Sequence, residues 1–140
     1  MNIIIYTLLF FGFDVILRFI SKKTIKFSGL DVLFFASWLA GINYGISQGV
    51  IVAVVLVIGH AFLRPSKAQY ILFSIPAQIS AVVFGYFFGM SKFILSLVVY
   101  QIINTGLMFA TGGFGMHFII FIVLNTSFNF LLHKTLLNFV

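Results

Sequence analysis

The chain has 140 residues, of which 62% are hydrophobic and only 7% are charged, and its mean hydropathy is +1.22. A soluble domain usually carries about 25% charged residues, so this composition excludes an ordinary soluble protein. It predicts one all-α domain over residues 1–140, integral to a membrane. Most of the net charge of +6 lies in short tracts between apolar runs, where topology signals occur, and we expect no nucleic-acid partner.

Six apolar stretches follow one another along the chain, separated by basic, polar or glycine-rich segments. They cover residues 2–20, 30–47, 49–63, 69–88, 92–110 and 114–137. Membrane-spanning segments must satisfy their backbone polar groups internally, and no stretch alternates in the manner of a barrel strand. The sequence therefore predicts a multi-pass protein of the cell membrane with six transmembrane helices and short loops.

No charge separates the second stretch from the third. As one helix, residues 30–63 would rise about 51 Å at about 1.5 Å per residue, whereas a hydrocarbon core is about 30 Å thick. The polar residues Tyr44, Ser47 and Gln48 lie here beside two glycines that can adopt a positive φ angle. We therefore predict a break between Tyr44 and Gly49. The alternative is a five-span protein with one long, tilted helix.

Small residues recur every four positions through this region, at Ser37, Gly41, Gly45, Gly49 and Ala53. In a membrane, such a stripe allows a second helix to approach closely, so the pattern indicates helix packing. The alternative is that the glycines thin the wall of a cavity or act as a hinge beside it.

The pattern Ala-Gly-x-x-x-Gly-x-x-x-Gly at residues 40–49 ends the second stretch and opens the third. It resembles the membrane-embedded S components of energy-coupling factor transporters, and rod-shape-determining D-type membrane proteins look similar at the same place. The resemblance to S components implies a six-helix subunit that binds a small molecule for uptake. It also implies other membrane subunits or an energising ATPase complex as partners, and both chain ends in the cytoplasm.

Charge predicts the opposite orientation. Six basic residues follow the first and third stretches, namely Arg18, Lys22, Lys23, Lys26, Arg64 and Lys67. The other side carries only Lys92 and Lys134. By the positive-inside rule, the N-terminus then lies outside. The sequence leaves both orientations open.

Polar side chains within apolar stretches are candidates for function. Asp14 has Arg18 one turn later, so an i, i+4 ion pair is expected, with a proton or cation site as the alternative. The only other acid is Asp31. No Ser/His/Asp set and no phosphate-binding glycine loop with a lysine is present, so we expect neither an enzyme nor an ATPase.

Three histidines raise the possibility of a metal site, at His60, His117 and His133. None of them has a second histidine or a carboxylate three or four residues away, so we expect no metal. The position of His60, one turn before Arg64, predicts a residue at the membrane interface.

Amide side chains are concentrated in the C-terminal half. The candidate ligand-binding residues are Gln78, Gln101, Asn104, Thr105, His117, Asn125 and Asn129. Amides supply both donors and acceptors, and the short 111–115 turn makes the last two helices neighbours. We predict that Gln101, Asn104, Asn125 and Asn129 converge on one cavity. The alternative is that they only hold the helices together by hydrogen bonds.

These features predict a membrane-embedded subunit that binds an unknown small molecule for an uptake transporter, in contact with the lipid bilayer and without a cofactor. The alternative function is a non-catalytic scaffold, or a small subunit of a larger membrane complex.

Overall fold

The computed structural model describes residues 1–24 and 29–138, and within these ranges the chain is all-helical, as predicted. The helices are α1 (Ile3–Thr24), α2 (Leu33–Leu63), α3 (Ala68–Phe73), α4 (Ile75–Phe88), α5 (Phe93–Ala110) and α6 (Met116–Leu137). Short 3-10 turns at Pro65–Lys67 and Gly89–Lys92 precede α3 and α5. Two residues of the charge argument, the side chain of Lys23 and the whole of Lys26, lie outside the described part.

Four helical stretches are long and apolar enough to cross a membrane. In the described residues these are Ile3–Lys22, Leu33–Leu63, Ile75–Ala110 and Met116–Leu137. Large apolar side chains on all four point away from the protein, among them Leu8, Ile51, Ile102 and Leu131. Four long apolar helices with such a surface suggest a membrane protein.

Gly45 divides α2 into two antiparallel halves. Its φ of 79° and ψ of −178° are not helical. A Cβ built on Gly49 would lie 3.2 Å from the backbone nitrogen of Gly41, whereas eight residues of straight helix would separate the two by about 12 Å. The halves, residues 33–44 (α2a) and 46–63 (α2b), therefore fold back on each other. The predicted break between Tyr44 and Gly49 is confirmed.

The stretch Ile75–Ala110 also reverses direction, between α4 and α5. The amide nitrogen Nε2 of Gln78 donates to the Tyr100 hydroxyl at 3.3 Å, although a straight helix would place these residues about 33 Å apart. Gly89, just after α4, has a φ of 57°, which favours glycine. α4 and α5 are therefore antiparallel neighbours.

The predicted fourth helix, residues 69–88, is divided into α3 and α4 at Ser74. Pro76 lies in the first turn of α4 and has no N–H to donate to the preceding turn. The Ser74 hydroxyl instead donates to the Ile71 carbonyl at 2.6 Å. The proline thus ends one helix and begins the next.

The centre of the bundle is the contact between α2a and α4. A Cβ at Gly41 would overlap the carbonyl oxygen of Val82, and a Cβ at Gly85 would overlap that of Trp38. The two backbones touch because glycine is present on both helices. Of the small residues predicted to pack, Ser37, Gly41, Gly49 and Ala53 are buried, whereas Gly45 forms the turn.

The outer helices are held in different ways. α1 packs on both halves of α2, and its Tyr6 hydroxyl donates to the Ala36 carbonyl at 2.6 Å. α6 buries only Phe118, Asn125 and Asn129. Leu132 and Leu136 of α6 are partly buried against the core, so its inward face combines the two asparagines with apolar side chains.

Candidate small-molecule-binding cavity

A cavity of about 540 Å³ lies at the end of the bundle where α2 and α5 end and α6 begins. We call it the main cavity. Its lining comes from α2, α3, α5 and α6, and from the segments between them, including Asp31, Arg64, Lys67 and Gly113. Basic residues of the loop after α2 thus stand at the same end of the bundle as the cavity.

One face of α5 forms a wall of the main cavity. Tyr100, Asn104 and Met108 line it and lie four residues apart, so successive side chains stack along one helical face. Each step of four residues advances about 6 Å along the axis. This wall therefore extends about 12 Å, from Met108 near the end of α5 to Tyr100 in its interior.

Several buried polar atoms on the cavity lining have no hydrogen-bond partner among the described residues. Asn104 is only 2% exposed, and its Oδ1 is unpartnered. The same holds for the Nη2 atom of Arg64. The Tyr100 hydroxyl accepts a hydrogen bond from Gln78, and no described acceptor takes its proton. Buried polar groups are almost always hydrogen-bonded, so the Asn104 and Arg64 atoms mark a place where a ligand or water supplies the missing partners, and the Tyr100 hydroxyl can donate to it.

Asp31, between α1 and α2, is the carboxyl group on the lining, and it is already engaged. Its Oδ1 accepts from the backbone N–H of Leu33 at 3.2 Å, and Asn125 Nδ2 lies 3.4 Å from both oxygens. The Asp31 carboxyl therefore stabilises the start of α2.

Behind the cavity wall, Asp14 of α1 pairs with His60 of α2b. The His60 Nδ1 and Asp14 Oδ2 atoms are 2.5 Å apart, and both residues are at least 97% buried. The expected position of His60 at the membrane interface stays a prediction, whereas the expected pairing of Asp14 with Arg18 is wrong. The physical reason is tertiary, since packing of α1 on α2b brings together groups that lie 46 residues apart.

The structure distributes the seven candidate ligand-binding residues over three places. Asn104 and His117 line the main cavity, and Gln78 reaches it through Tyr100. Gln101 and Thr105 line a second, mostly apolar cavity of about 500 Å³ between α5 and α6. Asn125 and Asn129 belong to a hydrogen-bond network.

That network joins α6 to the rest of the bundle. Gln101 Nε2 donates to Asn125 Oδ1 at 3.0 Å and to Thr126 Oγ1 at 3.1 Å. Asn129 Nδ2 donates to the Asn125 carbonyl at 2.8 Å. The predicted convergence of Gln101, Asn104, Asn125 and Asn129 on one cavity is therefore not observed, because only Asn104 lines the main cavity while the other three bond to one another.

The sequence interpretation missed several lining residues. It assigned Arg64 and Lys67 to topology alone, although both line the main cavity. Tyr100 is not among the seven candidate ligand-binding residues, although the four-residue spacing from Tyr100 to Asn104 places both on one face of α5. Asp31 carries no signal of this kind, because its position depends on how the segment before α2 folds against α6.

The chemistry available in the main cavity is hydrogen bonding, charge and apolar contact. Among the described residues, no three His, Asp, Glu or Cys side chains are grouped to hold a metal ion. No family model matches the chain, and neither does any curated protein or solved structure.

Proposed function

We propose that the chain is the binding subunit of an uptake transporter, that it is embedded in the cell membrane, and that it binds a small molecule in the main cavity. The observation that carries the proposal is the set of buried, unpartnered polar atoms on the lining, from Arg64 and Asn104. Small-molecule sites are typically cavities of about 300–1,000 Å³ with mostly apolar walls and a few placed polar groups. The main cavity has this character.

The proposal includes six membrane crossings. Two of the four long helical stretches reverse direction, at Gly45 and near Gly89. α1, α2a, α2b, α4, α5 and α6 then alternate in direction, with α3 extending α4. This arrangement supports one crossing for each, although α2a, at 12 residues, rises only about 18 Å. The buried segment before α2 adds to the depth that α2a alone does not span, because irregular backbone is tolerated in membrane proteins where other parts of the protein cover it.

Uptake also requires an orientation. We call the end of the main cavity beside Arg64 and Ser66 its mouth. With six crossings, the mouth lies at the end of the bundle opposite to residue 1. Capture of a ligand from outside the cell therefore requires the N-terminus in the cytoplasm. This agrees with the resemblance to S components and conflicts with the positive-inside rule. Arg64 and Lys67 line the cavity, so ligand binding is a second reason for positive charge at this end.

Single-cysteine labelling tests the orientation directly, because the natural chain contains no cysteine. Ser66→Cys marks the cavity mouth, and Ser91→Cys, in the exposed turn before α5, marks the other end. In intact cells, a membrane-impermeant maleimide should label Ser66→Cys and leave Ser91→Cys unlabelled until the cells are permeabilised. The reverse pattern would rule out uptake and leave a binding site facing the cytoplasm.

Binding itself is tested with the full chain purified alone in detergent. Native mass spectrometry should detect a retained small molecule on the natural protein and on Thr105→Leu, and much less of it on Asn104→Leu. The two substituted residues are adjacent on α5, but only Asn104 lines the main cavity. A chain that retains nothing and unfolds without other subunits would instead support the scaffold function.

A further inference from the structure

We propose, on the basis of the proposed function, that the ligand of the main cavity is an organic anion, with a carboxylate or phosphate group bound by Arg64 and an apolar body lying along α5. The proposal specifies the chemical class of the ligand. It rests on the state of Arg64, on the donors deeper in the cavity and on the apolar walls between them.

Among the described residues, no acidic side chain forms an ion pair with Arg64. Of the two acidic side chains in the chain, Asp14 pairs with His60. Asp31 is bonded by Leu33 and Asn125 instead. Arg64 Nη2 is nevertheless buried and unpartnered. A guanidinium group offers a planar pair of N–H donors that fits carboxylate and phosphate oxygens, so an anion is the partner that Arg64 lacks.

The remaining charge on the lining also favours an anion. Lys67 lies beside Arg64 at the same end of the cavity. The one carboxyl on the described part of the lining, Asp31, already accepts hydrogen bonds from Leu33 and Asn125. An anion beside Arg64 therefore meets a guanidinium group at close range, and the ammonium group of Lys67 lies at the same end of the cavity.

Below the mouth, the lining suits an apolar body with polar substituents. Leu33, Met108, Phe118 and Phe121 supply apolar and aromatic surface. Between them, the Tyr100 hydroxyl has a proton to donate and the Asn104 amide offers an unpartnered oxygen. A ligand held at Arg64 by its acid group would place its body along this wall, which extends about 12 Å.

Two matched compounds test the charge requirement, 1-naphthylacetate and its neutral amide, 1-naphthylacetamide. The full chain is placed in phosphatidylcholine nanodiscs, and the affinity for each compound is measured by titration. We expect the acid to bind at least about tenfold more tightly than the amide, because a hydrogen bond between two charged groups is stronger than one to a neutral group. Arg64→Gln should abolish this preference. Arg18→Gln, the same change outside the cavity lining, should preserve it.

Further measurements separate the outcomes. Arg64→Lys keeps the charge and should retain part of the preference, and melting temperatures identify any variant that fails to fold. Equal affinity for acid and amide, or equal loss in Arg18→Gln and Arg64→Gln, would overturn the anion proposal. If the amide binds and Asn104→Leu weakens it, the binding function stands without the anion. If neither compound binds at millimolar concentration, both proposals fail.

The anionic group can belong to a water-soluble compound or to a lipid. Repeating the titration in nanodiscs that contain phosphatidylglycerol distinguishes these sources. Competition by this lipid, seen as a several-fold weaker affinity for 1-naphthylacetate, assigns the site to an anionic headgroup. An unchanged affinity assigns it to a soluble organic anion.

Discussion

At the residue scale, the buried pair of Asp14 and His60 shows how tertiary packing overrides local spacing. Arg18 lies one turn from Asp14 on the same helix, and in an isolated helix such a pair would contribute about 0.2–0.5 kcal/mol. Asp14 instead meets His60 at 2.5 Å in the interior. Desolvated charges must be paired, and Arg18 lies in a less buried position, from which it can reach the membrane surface.

Removing one partner of this pair should be strongly destabilising. Asp14→Ala leaves His60 buried without its partner, and breaking a buried ion pair typically costs about 3–5 kcal/mol. Arg18→Ala is the control and should change stability by less than about 1 kcal/mol. Chemical denaturation in detergent, followed by circular dichroism, measures both. Equal losses of stability in the two variants would indicate that Asp14 pairs with Arg18 and not with His60.

Two asparagines of the C-terminal half should respond differently to the same substitution. Asn104→Leu removes a polar group from the main cavity and should weaken ligand binding by about 1–3 kcal/mol with little loss of stability. Asn125→Leu removes the centre of the network that holds α6 and should lower the melting temperature. Thermal unfolding and a binding titration on both variants separate the roles. The prediction fails if Asn104→Leu unfolds while Asn125→Leu does not.

At the element scale, the glycines of α2 serve two functions that sequence spacing alone does not separate. Gly41, Gly45 and Gly49 fit one four-residue pattern, yet Gly45 turns the chain while Gly41 touches α4. The pattern correctly predicts close packing in this region. It does not by itself identify the partner helix, although Ala77, Ala81 and Gly85 of α4 repeat the same spacing and are buried.

Adding one methyl group at this contact should therefore disrupt the fold. Gly41→Ala directs a Cβ into the Val82 carbonyl, where the backbones of α2a and α4 have no room to separate without losing other contacts. We expect a loss of at least about 2 kcal/mol, as for overpacked cores. Gly106→Ala is the control, since nothing lies within 4 Å of its Cβ position. A Gly41→Ala protein as stable as the control would contradict the close packing of α2a on α4.

At the scale of the whole molecule, composition is sufficient to predict the class of protein, but not the cavity. Apolar runs predict helices in lipid, and the structure contains four stretches of that kind. The main cavity combines Asp31, Arg64, Asn104 and Phe121, which come from four segments far apart in the chain. Helical periodicity relates residues within one helix only, so no pattern in the sequence brings these four together.

The number of crossings can be tested at the α2 turn. If α2a and α2b each cross the membrane, Gln48 lies in water at the same side as Ser91, and the impermeant maleimide should label Gln48→Cys and Ser91→Cys from that side alone. If the α2a–α2b hairpin enters and leaves the membrane on one side without crossing it, Gln48 lies within the membrane and the reagent cannot reach it. A Gln48→Cys protein that stays unlabelled even after permeabilisation would contradict six crossings.

The small number of buried residues on α6 has a consequence for the timescales on which the bundle moves. Its attachment depends on Asn125 and Asn129, on the partly buried Leu132 and Leu136, and on ring contacts such as the stack of His133 on Phe93 at 3.9 Å. Hydrogen bonds weaken steeply when their geometry is disturbed, whereas the α2a–α4 contact is fixed by backbone atoms. The amides of α6 should therefore exchange with solvent deuterium before those of α2a and α4. Since Phe118 and Phe121 of α6 line the main cavity, the helix that separates first from the bundle also forms a wall of that cavity.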